Sequence, residues 1–227
     1  MTSRKISRRA LKVIAIIAMA ADHLACVFLP SGAVLYQITR FFGRFAFPIM
    51  AYFLSEGYRY TRNRRRYAAR LFIFAVLSQL PYALAFRTSI IPFNAVATLL
   101  LGLAVIAVAD SNDFAKPAKS VIIAGLISVG VVSDHSWLGP LLPFLFWRYH
   151  GKKRWIAYYC AIFLFIAFCL VTSEESIGWY VFGYLIPPLM ISRHSKERET
   201  DSVLSKWFFY VFYPLHLFLI VICNYSQ

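Results

Sequence analysis

The chain has 227 residues, of which 60% are hydrophobic and 18% aromatic, and its formal net charge is +14. A soluble domain of this length could not bury so much apolar surface, so we predict an integral membrane protein. The apolar runs are about twenty residues long and lack strict alternation, which predicts an all-α, polytopic helical bundle rather than a barrel. No soluble basic region accompanies the positive charge, so we do not expect nucleic acid as a partner.

Apolar segments follow one another along the whole chain, and we predict about eight or nine transmembrane helices in a single domain of residues 1–227. The segments are residues 10–29, 38–57, 68–87, 93–109, 120–135, 137–149, 155–171, 177–192 and 207–223. The order of the short spans between residues 120 and 149 is left open. The basic N-terminus precedes an apolar run without a small-residue cleavage site, so we predict that the first span is not removed as a signal peptide.

The basic residues predict the orientation of the chain. If the N-terminus is cytoplasmic, every lysine and arginine except Arg40, Arg44 and Arg87 lies in or beside a cytoplasmic segment. Those segments are residues 1–12, 59–70, 110–119, 148–154 and 193–206. Membrane proteins retain basic residues on the cytoplasmic side, so we predict the N-terminus inside and the C-terminus outside.

The first span contains an acidic residue beside a histidine, Asp22 and His23. Ionisable groups at that depth are costly, which indicates either a functional site or a polar pair that fastens helices together. Neighbouring helix residues point about 100° apart, so we expect each side chain to contact a different partner. His23 is the predicted general base, because a histidine can take a proton from a nucleophile and return it.

The second segment carries Arg40 and Arg44 on one helical face, with Gly43 allowing close approach and Pro48 interrupting the hydrogen bonds ahead. Two guanidinium groups there require an anion, which is either Asp22 or a phosphate or thioester oxyanion. We predict that Arg44 acts in the site. Arg40 either binds substrate or extends to the outer headgroups.

Arginines interleaved with tyrosines close this segment on the predicted cytoplasmic side. Guanidinium groups pair with phosphates and tyrosine rings offer stacking faces, which suits a phosphorylated, adenine-bearing ligand. The alternative is a stop-transfer charge cluster with an interfacial aromatic belt. The candidate ligand-binding residues are Tyr60, Arg62, Arg64, Arg65 and Arg66.

Later segments add four polar candidates. Gln79 and Asn94 could hydrogen-bond a substrate, although joining helices is the commoner role of such amides. In the last segment Pro214 interrupts the backbone hydrogen bonds, and His216 follows beside Tyr213, which together predict a site with Tyr213 as a substrate-binding residue. The four cysteines lack metal-ligand spacing, so we predict no metal site.

Taken together, these residues resemble the TraX family, the membrane acetyltransferases named for F-type pilin acetylation and similar to a broader group of transmembrane acyltransferases. The matching motifs run in chain order over almost the whole sequence: residues 12–23, 43–48, 56–62, 78–82, Asn94 and 209–216. The stretch 133–137 departs from the Asp-aromatic-Gly turn that we expect of the family.

The resemblance implies transfer of an acetyl group from cytoplasmic acetyl-CoA to an acceptor at the bacterial inner membrane. The acceptor group is an amine or, less favoured, a hydroxyl, on a pilin N-terminus in conjugation or on another cell-envelope molecule. His23 would be the general base or a transient acetyl carrier, Arg44 would stabilise the thioester oxyanion, and His216 would position substrate or share the proton. Asp22 would orient a neighbouring group.

A different class of protein fits part of the pattern. In a small proton-coupled transporter or lipid flippase, Asp22, His23 and His216 would relay protons through kinked helices. The hydropathy profile shows no inverted repeat, which counts against this alternative.

The predicted orientation is testable with reporter fusions in a bacterial host. Alkaline phosphatase fused after Gln227 should be active, because that enzyme folds only outside the cytoplasm. Fused after His150, in a predicted cytoplasmic segment, it should be inactive, and a fluorescent reporter that folds in the cytoplasm should give the reverse. Activity of the same reporter at both positions would contradict the orientation.

Overall fold

The computed structural model describes residues 5–89, 91–172, 178–194 and 203–225, and the regular structure in these ranges is helical. This confirms the all-α class. The helices are α1 (Arg8–Phe28), α2 (Val34–Gly43), α3 (Ala46–Tyr60), α4 (Arg64–Ala85), α5 (Ala95–Asp110), α6 (Lys116–Val129), α7 (Leu138–Arg148), α8 (Gly151–Thr172), α9 (Pro187–Ser192) and α10 (Val203–Tyr225). Short 3-10 helices cover Gly130–Val132 and Trp179–Leu185.

Three of these helices, α1, α4 and α8, are long and apolar enough to cross a membrane. Shorter apolar helices occupy Ala95–Asp110, Trp179–Ser192 and Tyr210–Tyr225. The structure therefore supports a membrane protein with several apolar helices. The larger number of crossings and the orientation stay predictions.

One predicted segment, residues 38–57, is two helices rather than one. Pro48 has no N–H to donate to the Arg44 carbonyl, and the Phe45 N–H instead bonds to the Phe42 carbonyl at 3.0 Å. The chain therefore leaves the α-helix after Gly43 and starts α3 at Ala46. Pro48 lies in the first turn of α3, where a missing N–H is tolerated.

The predicted segment 177–192 is also not a single α-helix. Its described part begins as the 3-10 helix Trp179–Leu185, and α9 starts at Pro187. Pro187 and Pro188 cannot donate backbone hydrogen bonds, so they interrupt the preceding turns and are accepted only at the start of a helix.

The chain divides into two compact units, one of residues 1–50 with 162–227 and one of residues 51–161. The boundaries fall inside α3 and α8. The single domain of residues 1–227 stays a prediction.

In the first unit α1 packs against α2 and α10, and α2 packs against the 3-10 helix Trp179–Leu185. Leu11 and Ala15 on α1 and Leu217 on α10 are buried in its core. The Ser7 side chain accepts a hydrogen bond from the Ala10 N–H at 3.1 Å, so it caps the first turn of α1. The face that α1 buries is apolar at Leu11 and Ala15 and polar nearer its C-terminal end, at Asp22 and His23.

In the second unit α5 packs against α4, α6 and α7. Gly102 permits the contact with α7, because a Cβ there would lie 2.7 Å from Cγ of Pro143. Phe146 on α7 contacts Tyr158 on α8, and both side chains are fully buried. Small and aromatic residues thus let the helices approach closely, as is usual where lipid removes the hydrophobic drive to associate.

The close approach at Gly102 predicts a stability effect. Gly102→Ala should lower the free energy of unfolding by about 1–3 kcal/mol, because the proline ring opposite cannot move aside as a flexible side chain would. Gly125→Ala is the matched control: this exposed position in α6 has no neighbour within 4 Å of the added Cβ. Unfolding in detergent would measure both variants, and equal stability would contradict the packing argument.

Candidate functional site

A pair of histidines lies in the core of the first unit. Helix α1 carries His23 and α10 carries His216, with 6% and 7% of their surfaces exposed. Nδ1 of His23 is 2.8 Å from Nε2 of His216, so the rings share a hydrogen bond. The sequence indicated each histidine separately, and the structure brings them into direct contact.

The surroundings of the pair fix the position of the second ring. Nδ1 of His216 lies 2.9 Å from the Phe212 carbonyl oxygen, one turn earlier in α10. The buried Tyr213 ring packs edge-on against both histidines, at centroid distances of 6.1 Å from His23 and 5.5 Å from His216. Tyr213, a predicted substrate-binding residue, therefore lies beside the pair.

Asp22 contacts a different set of partners from His23, as adjacent positions on a helix predict. Its carboxylate lies 2.8 Å from Nη1 of Arg40 and 3.3 Å from Nη2 of Arg44. Gly43 makes this possible, because a Cβ there would overlap the Asp22 carboxyl group. The buried carboxylate thus joins α1 to the C-terminal end of α2.

Three tyrosines enclose the two guanidinium groups. Arg40 lies over the rings of Tyr36 and Tyr180, at 5.8 and 5.2 Å from their centroids. Arg44 lies over Tyr180 and Tyr184, at 5.4 and 5.8 Å. Aromatic faces attract cations and shield them from water, so these rings stabilise the arginines in an apolar setting.

The sequence did not single out Tyr36, which precedes the predicted second segment, or Tyr180 and Tyr184, which lie in residues 177–192 that were interpreted only as an apolar span. A signal was present in the glycines of that stretch. A Cβ at Gly183 would overlap the Phe41 carbonyl oxygen, and one at Gly178 would overlap the Gln37 side chain. Both glycines therefore mark where this segment lies directly against α2.

The two arginines differ in how fully their donors are used. In Arg44, Nε is 3.4 Å from the Arg40 carbonyl oxygen, Nη1 is 3.5 Å from the Tyr184 hydroxyl, and Nη2 meets Asp22. In Arg40, Nε is buried without a hydrogen-bond partner among the described residues. One carboxylate facing two guanidinium groups leaves one positive charge in excess, so the cluster can accept a further anion.

The candidate ligand-binding residues, Tyr60, Arg62, Arg64, Arg65 and Arg66, belong to the second unit, at and just before the start of α4. Arg64 is ion-paired with Asp110 at 2.7 Å and lies 4.2 Å from the Tyr58 ring centroid. Burial, followed by the 3.0 Å hydrogen bond to Asp110, raises the pKa of Tyr58, which lies beyond the predicted span, to about 12. The other members are exposed: Tyr60, Arg62, Arg65 and Arg66.

Gln79 and Asn94 lie in a hydrogen-bonded junction of the second unit. Asn94 is fully buried, and its amide nitrogen donates to the Ala75 carbonyl at 2.8 Å and to Gln79 Oε1 at 2.7 Å. Its side-chain oxygen accepts from the Val96 and Ala97 N–H groups and so caps α5. These contacts join α4 to α5, which is the commoner role of such amides. Substrate binding by Gln79 or Asn94 stays a prediction.

The chain matches the family model described as TraX protein over residues 7–224. It is 31% identical over 228 residues to the Dichelobacter nodosus protein described as "Probable fimbrial assembly protein FimC, serogroup H1", with 92% of each chain covered. No solved structure matches the sequence.

The ion cluster predicts a large effect of one substitution. Asp22→Asn should lower the free energy of unfolding by about 3 kcal/mol, because it leaves two buried guanidinium groups without a counter-charge. The control is Asp113→Asn, the same chemical change at an exposed position. Adding Arg40→Met to Asp22→Asn should restore part of the loss, since it removes one uncompensated charge. Denaturation in detergent measures all three, and a loss no greater than that of Asp113→Asn would contradict the ion-cluster argument.

Proposed function

Because the chain belongs to the TraX family, we propose that this membrane protein transfers an acetyl group from cytoplasmic acetyl-CoA to an acceptor amine at the membrane. The observation that carries the proposal is the buried contact between His23 and His216 in the same unit as an arginine pair with excess positive charge. A base and an oxyanion-stabilising group are the two parts that acyl transfer requires.

His23 acts as the general base in this proposal. It takes a proton from the acceptor amine as the nitrogen attacks the thioester carbon, and it returns that proton to the departing sulfur. Such proton transfers accelerate reactions by about 10²–10⁴-fold. A transient acetyl group on His23 is the less favoured route, since direct transfer to an amine needs only a base.

The arginines divide the electrostatic work. The sequence assigned the thioester oxyanion to Arg44, with Arg40 as a substrate-binding residue. The contacts favour Arg40 as the group that meets the anion, because its Nε has no partner among the described residues. Arg44 then has a positioning role, because it contacts the Arg40 carbonyl oxygen and the Asp22 carboxylate. Asp22 in turn holds both arginines in place.

The basic start of α4 is the proposed binding surface for the phosphates of the donor. Arg62, Arg65 and Arg66 are exposed, and guanidinium groups bind phosphates through paired hydrogen bonds. Arg64 contributes charge while keeping its ion pair with Asp110. The distribution of basic residues supports placing this surface in the cytoplasm, with the chain crossing the bacterial inner membrane about eight or nine times.

The acceptor is proposed from the relative. That protein is described as acting in fimbrial assembly, so the N-terminal amine of a pilus or fimbrial subunit is the first acceptor to test. Another cell-envelope amine or a hydroxyl is the alternative acceptor. Mass spectrometry of envelope proteins from cells with and without this protein would identify a species heavier by one acetyl group.

The proton-coupled transporter is less well supported. It needs a path along Asp22, His23 and His216, yet Asp22 contacts Arg40 and Arg44 whereas His23 contacts His216. Among the described contacts, Asp22 therefore has no direct hydrogen bond to either histidine. Binding of acetyl-CoA to the detergent-solubilised protein separates the two functions. An acetyltransferase should bind it, whereas a proton-coupled transporter or lipid flippase should not.

The catalytic assignment predicts the kinetics of single variants. His23→Ala should reduce acetyl-CoA turnover by about 10²–10⁴-fold, and His216→Ala should also reduce it, because each removes one member of the hydrogen-bonded pair. His150→Ala, at an exposed histidine, should leave turnover unchanged. Release of free thiol by the purified proteins measures the rates. Normal transfer by both His23→Ala and His216→Ala would refute the assignment.

A further inference from the structure

We propose that His216 is a positioning residue that fixes the proton of His23 on Nδ1, so that Nε2 of His23 is the basic atom. The catalytic consequence rests on the proposed acetyl transfer, whereas the proton positions follow from the hydrogen bonds alone. His216 would then neither bind the substrate nor carry the proton away, which are the roles that the sequence suggested for it.

The first step concerns His216 and the backbone. Nδ1 of His216 lies 2.9 Å from the Phe212 carbonyl oxygen, and a carbonyl oxygen can only accept a hydrogen bond. Nδ1 of His216 must therefore carry a hydrogen. A neutral imidazole has one N–H, so Nε2 of His216 carries the lone pair and is an acceptor.

The second step carries the same logic to His23. Nε2 of His216 is 2.8 Å from Nδ1 of His23, so an acceptor at His216 requires a donor at His23. The two rings are within 11° of parallel and their centroids are 5.0 Å apart, and the nitrogen–nitrogen distance is that of a hydrogen bond. His23 is thus the Nδ1–H tautomer, and its Nε2 carries the lone pair.

The arrangement also decides where the reaction's proton can go. When the acceptor nitrogen bonds to the thioester carbon, its N–H bond breaks and Nε2 of His23 takes the proton. The hydrogen bonds behind His23 end at the Phe212 carbonyl, which does not take up a proton at neutral pH, so the proton stays on His23. When the carbon–sulfur bond breaks, Nε2 gives that proton to the sulfur, and the enzyme ends in its starting state.

His216 thus has the role that a buried carboxylate has in many histidine-dependent enzymes, where it fixes the tautomer of the base. The neighbouring carboxylate, Asp22, has Arg40 and Arg44 as its hydrogen-bond partners, whereas His23 is bonded to His216. The opposite tautomer of His23 would carry a hydrogen on Nε2 and could not accept the proton of the amine.

The direct test is ¹⁵N NMR of the full-length protein labelled in its histidines and held in detergent, with no donor added. Nitrogen shifts distinguish a protonated from an unprotonated ring nitrogen. At a pH where the rings are neutral, both His23 and His216 should carry hydrogen on Nδ1, and signals lost in the His23→Phe and His216→Gln variants assign the rings. Hydrogen on Nε2 of His23 would overturn the proposal whether or not the protein transfers acetyl groups.

Matched variants test the catalytic consequence. His216→Gln places an amide oxygen where Nε2 lies, so it should keep turnover within about tenfold of the native protein. His216→Leu removes the acceptor and should reduce kcat by about 100-fold, with KM changed by less than about threefold. Equal kcat for the two variants, or a His216→Leu effect confined to KM, would overturn the positioning role.

The NMR and kinetic results separate this inference from the proposed function. If both rings carry hydrogen on Nδ1 but the purified protein does not consume acetyl-CoA, the proton positions hold and the acetyltransferase proposal fails. If the protein turns over acetyl-CoA but His23 carries hydrogen on Nε2, the function holds and this inference fails.

Discussion

The arrangement of the first unit depends on the ion pairs between the buried carboxylate of Asp22 and the two arginines of α2. An ionised group among apolar side chains is tolerated only when opposite charges and hydrogen bonds compensate for its lost hydration. Arg40 and Arg44 supply that compensation, and Gly43 lets the backbone of α2 approach closely enough for them to reach it. The ion cluster therefore requires α1 and α2 to pack in one register.

The tyrosines around this cluster stabilise the two guanidinium groups that the single carboxylate cannot fully satisfy. A guanidinium group needs many hydrogen bonds or a polarisable neighbour when it leaves water, and one carboxylate cannot satisfy two of them. The faces of Tyr36, Tyr180 and Tyr184 supply the remainder without adding a second negative charge. The excess positive charge is thereby retained, and the proposed function uses it to stabilise an oxyanion.

The sequence was informative where a residue conflicted with its surroundings and uninformative where distant segments meet. Hydropathy predicted the helical membrane class, and the polar residues Asp22, His23 and His216 were recognisable because apolar runs rarely contain them. Hydropathy predicted a single segment where the structure has α2 and α3. A hydropathy profile measures only how apolar the residues are, so it does not show that Pro48 lacks a backbone N–H to donate. The contact between His23 and His216 could not be predicted from the sequence, because it depends on how α1 packs against α10.

The pairing of the first helix with the last has a consequence for biosynthesis. His23 and His216 are 193 positions apart in the chain, and they meet only through the contact of α1 with α10. The ribosome makes α10 after every other described helix, so His23 in a growing chain lacks its contact with His216 until the end of synthesis. Under the proposed function, the nascent protein would therefore be inactive until its last helix has been inserted and packed, so activity would require the contact between α1 and α10.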